Sequence, residues 1–196
     1  MQPRTSRLPL QNPVAHGTDD DPRLAAELSA ALAAARRRAV RDGDRQIDTA
    51  HLLHSLLEQD PQVRTVLGGG PQLARLLGYL VQRSIGYGLR WQSGVEHAGD
   101  AGSLLPVGLV GAVGAVGAVG AVGDGLSPLA AEALEHACVR AERRGARTAG
   151  GVDLLAAIVA EPGARAVEVL DHAAVDIPEL RARIDDGTEG ASAFTG

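Results

Sequence analysis

The stretch Ile-Asp-Thr-Ala-His-Leu-Leu-His-Ser-Leu-Leu-Glu, residues 47–58, decides the fold of this 196-residue chain. Asp48 and Thr49 are residue types typical of the position where a helix begins. Leucines then follow at i, i+1, i+4 and i+5, a spacing that buries a wide stripe on one side of a helix. These are Leu52, Leu53, Leu56 and Leu57. The pattern predicts an amphipathic α-helix that runs to about residue 59.

A similar sequence returns 102 positions later. Residues 151–159, Gly-Val-Asp-Leu-Leu-Ala-Ala-Ile-Val, align with residues 49–57. The correspondence extends backwards at the same offset. The matched pairs are Leu32 and Leu134, Ala35 and Ala137, Ala39 and Ala141, and Gly43 and Gly145. Such self-similarity indicates a duplicated supersecondary unit. We therefore expect two copies of one helical unit.

Each copy carries the start and stop signals of four helices. In the first copy, the acidic run Asp19-Asp20-Asp21-Pro22 predicts a helix start, and Gly43 suits the left-handed cap at its end. Further starts are predicted at Asp60-Pro61 and after the glycines that precede Pro71. In the second copy the signals are Ser127-Pro128, Gly150-Gly151, Pro162-Gly163 and Asp176-Ile177-Pro178-Glu179. The fold class predicted from these signals is all-α.

Composition excludes several classes of function. All 19 basic residues are Arg, and the absence of Lys excludes both the phosphate-binding Walker loop and Schiff-base chemistry. A formal net charge of −5 argues against non-specific nucleic-acid binding. The single cysteine, Cys138, cannot form an internal disulfide, and we expect it to pack half-buried as a small apolar side chain. No apolar secretory segment follows the first arginines, so the cytoplasm is the expected compartment.

The chain divides into five segments by composition. They are a tail (1–18), the first copy (19–94), a linker (95–125), the second copy (126–187) and a second tail (188–196). Within the linker, residues 104–123 run through uncharged Gly-Ala-Val triplets. A membrane span is disfavoured, because each interior Gly weakens a helix by about 1 kcal/mol and the flanks lack basic anchors. We expect a flexible apolar linker there, and we expect Trp91 to pack onto the first copy, with an exposed binding anchor as the alternative.

The two copies resemble the Clp repeat, the helical unit that occurs twice in the N-terminal domain of Clp ATPases. The resemblance covers about residues 23–83 and 126–184. The features that carry it are the helix ends at Gly43 and Gly145, the motifs Thr-x-His-Leu-Leu (49–53) and Val-Asp-Leu-Leu (152–155), and the short helices ending near Leu67 and Leu170. It implies a bundle of about eight helices with pseudo-twofold symmetry that docks substrates, adaptor proteins or peptide-like ligands.

The resemblance also points to candidate site residues. Typical members carry Glu before the His of the motif, and in ClpC-like members this Glu contributes to recognising phosphorylated arginine. Here Ala50 and Val152 stand at the matching positions. Because a guanidinium needs a carboxylate partner for charge-assisted pairing, we expect this ligand not to be bound in the same way. The residues expected to contact a partner are Ala50 and Val152 with their neighbours His51 and Asp153.

The leading hypothesis is a non-enzymatic protein- or peptide-binding module of the Clp chaperone–protease system, without cofactor, nucleic-acid or membrane partner. It would act as an adaptor, decoy or sequestering protein that docks Clp components, substrates, adaptors or peptide-like ligands in the groove between the repeats. One alternative is an enzyme that uses His51 and His54, three residues apart on one helix, with a nearby Asp such as Asp48. The two histidines could also suit a metal, although no third or fourth ligand is evident. Another is a helical DNA-binding regulator, suggested by Arg36-Arg37-Arg38. The acidic net charge and the absence of Lys argue against it, and a solvated helix end is the favoured explanation of these arginines.

Overall fold

A computed structural model describes residues 21–84, 96 and 125–192, and within these ranges the chain forms eight α-helices. The helices of the first copy are α1 (Ala26–Asp42), α2 (Thr49–Gln59), α3 (Pro61–Leu67) and α4 (Gly70–Ser84). Those of the second copy are α5 (Pro128–Arg143), α6 (Gly151–Ala160), α7 (Arg165–His172) and α8 (Ile177–Ser192). The prediction of an all-α fold with two four-helix copies is confirmed.

Side chains at the helix ends explain where several helices begin and end. The carboxylates of Asp48 and Asp60 and the hydroxyl of Ser127 each accept a backbone N–H from the following turn, at 2.8 to 3.2 Å. They begin α2, α3 and α5 by satisfying donors that the first helical turn leaves unpaired. The chain leaves α1 and α5 through Gly43 and Gly145, whose φ angles of +75° and +72° lie in the left-handed region that favours glycine.

The start of α1 differs from the expectation. The acidic run that ends at Asp21 predicted a helix directly after it, but α1 begins at Ala26. Asp21 instead accepts the backbone N–H of Arg23 at 2.9 Å, and Leu24 pairs with Ala149 of the second copy. This pairing with the other copy keeps the backbone extended and delays the helix by about one turn.

Two short backbone pairings join the copies, and they are related by the same offset as the sequence. Leu24 pairs in parallel with Ala149, and Leu126 pairs in parallel with Ile47. In each pairing the N–H that follows the leucine donates to the carbonyl of the opposite residue, at 2.8 and 2.9 Å. Exchanging the two copies exchanges the two pairings, as twofold pseudosymmetry requires.

The helices of the two copies interlock around a shared core. Within the copies α1 packs on α2 and α5 on α6, whereas between the copies α2 contacts α7 and α6 contacts α3. The last helices also cross over, since α4 contacts α7 and α8 contacts α3. The four leucines predicted as a stripe on α2 are each at most 2% exposed. Residues from both copies therefore form one continuous hydrophobic cluster.

Some predicted boundaries lie outside the described residues. These are the tail 1–18, the segment 85–94 with Trp91, and the apolar tract 104–123. At two described positions the structure differs from the expected layout. Helix α8 continues to Ser192, beyond the expected end of the second copy at residue 187. Glu96, assigned to the linker, is only 5% exposed and hydrogen-bonds to both copies.

Replacing Gly151 tests how closely the copies approach. A β-carbon at Gly151 would collide with the buried carboxylate of Asp60 and would lie 3.0 Å from Leu56 Cδ2. We expect Gly151→Ala to lower the free energy of unfolding by about 1–3 kcal/mol, as overpacking does. Gly78→Ala in α4 is the control, because its β-carbon meets nothing within 4 Å and should stabilise the helix by about 1 kcal/mol. Urea titrations monitored by circular dichroism measure both, and a Gly151→Ala protein as stable as the wild type would contradict the close approach.

Candidate functional site

The four residues predicted to contact a partner have two different environments. Ala50 and His51, both in α2, have no exposed surface and pack into the core. Val152 is partly exposed near the start of α6, and both Val152 and Asp153 line a cavity. The structure thus places Val152 and Asp153 at one site. Ala50 and His51 are buried and present no surface that a partner could contact.

The cavity has a volume of about 370 Å³ and lies between the two copies. The first copy lines it with the residue before α1 and with side chains of α3, and the second copy lines it with the α5–α6 loop and the start of α6. Among these residues are Ala25, Gln62, Val66, Thr148 and Val152. Small apolar side chains therefore alternate with amide and hydroxyl groups, a mixture suited to binding a peptide or another small ligand.

A buried ion pair adjoins this cavity. Asp153 Oδ2 lies 2.6 Å from Arg144 Nη2, and Asp153 Oδ1 accepts a hydrogen bond from Arg144 Nε at 3.1 Å. Asp153 Oδ2 also accepts the backbone N–H of Gly150 at 3.0 Å, which caps the first turn of α6. Paired hydrogen bonds of this kind fix the guanidinium in one orientation. The charge of Asp153 is therefore balanced within the chain, and Arg144 is the partly exposed member of the pair.

His51 takes the place in α2 that Asp153 takes in α6. Its Nε2 lies 3.0 Å from Asp44 Oδ2 and 4.0 Å from Asp42 Oδ2. Asp42 precedes Arg144 by the same 102 positions that separate His51 from Asp153. The duplicated pair therefore keeps its location while its basic and acidic members exchange places. In the second copy the hydrogen-bonded pair joins the residue after α5 to the start of α6, whereas in the first copy His51 Nε2 and Asp42 Oδ2 form no hydrogen bond.

A buried carboxylate from the segment between the copies lies where three helices begin. Glu96 Oε2 accepts the N–H of Thr49 at 2.9 Å and the hydroxyl of Ser127 at 2.8 Å. Its Oε1 accepts the hydroxyl of Thr49 at 2.5 Å and the N–H of Arg165 at 2.8 Å. These donors belong to the starts of α2, α5 and α7, where unpaired N–H groups and the helix dipole favour an anion. Glu96 therefore acts as a shared cap that joins the copies.

The sequence contains an indirect signal for this shared cap. Helix α3 has its own cap, because Asp60 Oδ1 accepts the N–H of Gln62 at 2.8 Å. Helix α7 is preceded by Ala164, whose side chain cannot accept a hydrogen bond. Glu96 supplies the missing acceptor to Arg165. The absence of a capping side chain before α7 indicates that a distant group is needed, but it does not identify Glu96.

The side chains invoked for an enzyme lie in separate environments. His51 lies beside Asp48, whose backbone N–H its Nδ1 accepts at 3.2 Å, and it faces Asp44 on its other side. His54 is separate from these groups, and its Nε2 lies 3.6 Å from Glu58 Oε1. Within the described part of the chain, no group of three or more His, Cys, Asp and Glu side chains could hold a metal ion. Cys138 is buried, and desolvation raises the pKa of its thiol, which disfavours the reactive thiolate.

Comparisons with protein-family models and with curated proteins find no match to this chain. The fold and site define it as an all-α protein with a cavity, open on one side, between two pseudosymmetric four-helix copies. Among the described residues, no helix has both the length and the apolar character needed to cross a bilayer.

Removing the carboxylate of Glu96 tests its role as the shared cap. We expect Glu96→Ala to lower the free energy of unfolding by about 1–3 kcal/mol, because it leaves buried donors from three helix starts without an acceptor. Glu132→Ala is the control, since Glu132 is exposed on α5 and its loss should change stability by less than about 1 kcal/mol. Chemical denaturation of both variants measures the difference, and equal effects would show that Glu96 is not a cap.

The environment of His54 predicts a dependence of stability on pH. Burial, aided by the positive charge of Arg38, lowers the pKa of His54 to about 4. The unfolded chain has a histidine pKa of about 6.5, so between these values it binds more protons than the folded state. Stability should therefore fall as the pH drops from about 6.5 to about 4, with His54 contributing about 3 kcal/mol of that fall.

The variant His54→Ala, which copies the residue at position 156, removes this contribution. Urea unfolding at several pH values should give a shallower decline for the variant below pH 6.5 and parallel behaviour above it. Identical pH slopes for variant and wild type throughout would contradict the assignment.

Proposed function

We propose that this chain is a non-enzymatic docking module of the Clp chaperone–protease system, and that it binds an extended segment of a partner protein between its two copies. The observation that carries the proposal is the cavity of about 370 Å³ between pseudosymmetric copies, with Val152 in its wall. The phrases at residues 49–53 and 152–155, which resemble the Clp repeat, support the assignment to that system.

The cavity favours a peptide segment over a folded domain. Its volume accommodates one or two side chains, and Val66 and Val152 provide apolar contact. Gln62 and Thr148 carry donor and acceptor groups that suit the N–H and C=O groups of a peptide backbone. Arg144 also lines the cavity, but Asp153 balances its charge. The preferred segment therefore has a small apolar residue next to an uncharged polar one.

A module of this kind acts by binding a segment of its partner, without changing the partner chemically. If it binds a Clp motor as well as a substrate, it raises the local concentration of that substrate at the motor and acts as an adaptor. If it binds the segment alone, it withholds the segment and acts as a decoy. The sequence lacks the Lys of a Walker loop, so any energy from ATP comes from the partner. The cytoplasm is the compartment where we place this activity.

Val152→Arg tests the cavity as the docking site. The probe is fluorescein-labelled, reduced and carboxymethylated α-lactalbumin, a permanently unfolded protein, and the measurement is fluorescence anisotropy. We expect the variant to bind at least about tenfold more weakly, which corresponds to about 1.4 kcal/mol, because the long charged side chain fills the cavity. Val40→Arg in α1 is the matched control: Val40 is 75% exposed, and its replacement should leave the affinity within about twofold.

A second measurement tests the connection to the Clp system. Adding the wild-type chain to a purified Clp ATPase–peptidase pair should change the degradation rate of the same labelled substrate, and Val152→Arg should not. Unaltered binding by Val152→Arg would refute the cavity as the site. Substrate binding without any effect on degradation, and without co-sedimentation with the Clp ATPase, would instead refute the assignment to the Clp system.

A further inference from the structure

The two copies differ in what fills the space between their first and second helices. In the first copy, His54 and Glu58 lie between α1 and α2, and Glu58 Oε2 lies 2.7 Å from Arg38 Nη2. The residues 102 positions later are Ala156 and Ala160. These two alanines line a groove of about 700 Å³ along α5 and α6, together with His136, which stands where the first copy has Ala34.

The groove has arginines where the first copy has Arg38 and Arg41, and it has a third, Arg144, where the first copy has Asp42. Arg140 Nη2 lies 2.9 Å from Asp185 Oδ1, and Arg144 Nη2 lies 2.6 Å from Asp153 Oδ2. Arg143 also lines the groove, is exposed, and has no partner among the residues that the structure describes. Three guanidinium groups face two carboxylates here, so the groove carries an excess of one positive charge.

The first copy shows which group suits such a site. Arg140 stands at the position of Arg38, and Ala160 stands at the position of Glu58, so the open space in the second copy matches a glutamate side chain in place. Asp185 already pairs with Arg140 Nη2, and the positive charge that faces this space is therefore that of Arg143. Val139, 39% exposed, adds an apolar surface beside it. We propose that this groove binds an acidic peptide segment of a partner protein, with a carboxylate on Arg143 and apolar neighbours over Val139.

This second surface goes beyond the docking proposed between the copies. The two sites have Arg144 as their common lining residue, and Val152 lines the cavity but not the groove. The ion pairs in the groove are partly exposed, so salt screens them and the affinity falls as ionic strength rises.

The test uses the intact chain and the fluorescein-labelled peptide Ala-Glu-Ala-Val-Glu-Ala, with the same peptide carrying Gln in place of Glu as its uncharged control. Anisotropy at low salt should show binding of the Glu peptide and at least about fivefold weaker binding of the Gln peptide, since the charge-assisted hydrogen bonds are lost. Ala160→Glu should abolish binding, because it restores within the chain the carboxylate that Glu58 provides in the first copy. Position 160 is exposed, so the variant should remain folded, which thermal melting checks.

Matched arginine variants locate the contact. Arg143→Gln should weaken binding of the Glu peptide about fivefold, whereas Arg41→Gln, at the equivalent exposed position of the first copy, should change it by less than about twofold. Val152→Arg should leave this peptide's affinity unchanged, which separates the groove from the cavity between the copies. Equal binding of the Glu and Gln peptides, no binding of the Glu peptide by the wild type, or wild-type affinity in folded Ala160→Glu would each overturn the proposal.

Discussion

Reciprocal backbone hydrogen bonds hold together the segments that lead into the helices of the two copies. The N–H of Ala25 donates to the carbonyl of Ala149, and the N–H of Ala149 donates to the carbonyl of Arg23. Ser127 and Ile47 form the equivalent contact on the other side of the pseudo-twofold axis. Buried peptide groups need partners, and each copy provides them for the other. The entries to α1 and α5 therefore depend on both copies, and the crossed packing of α4 on α7 and α8 on α3 follows from the same arrangement.

The two copies place an acidic and a basic residue at the same positions near the start of the second helix, but the two residue types are exchanged between the copies. In the first copy a buried histidine, His51, faces the aspartates at positions 42 and 44, and in the second a buried aspartate, Asp153, is held by Arg144. Both copies place an acidic and a basic residue between the end of the first helix and the start of the second, but a hydrogen-bonded guanidinium–carboxylate pair forms only in the second copy. In the first copy the backbone holds the ring, since His51 Nδ1 accepts the N–H of Asp48 at 3.2 Å.

Local signals predicted most of the fold because they act within one or two helical turns. The leucine spacing of α2, the serine cap at Ser127 and the glycine ends at Gly43 and Gly145 all have the predicted role. Long-range contacts were not predictable in this way. Pairing with the second copy delays α1, and Glu96 reaches its donors from a segment without periodicity. The same limit applies to the candidate site, because helical spacing places His51 near a helix start but does not reveal that its side chain is fully buried.

The differences between the copies show how one backbone can serve two purposes. In the first copy the chain fills its own openings: His54 and Glu58 lie between α1 and α2, and Glu96 covers the start of α2. In the second copy, alanines at the positions of His54 and Glu58 leave a groove, and a cavity remains near the start of α6. A side chain that fills an opening adds packing and charge pairing to stability, whereas an open site leaves its donors and apolar surface for a ligand. Under our proposals the first copy therefore stabilises the bundle, and the second copy presents most of the surface on which partners dock.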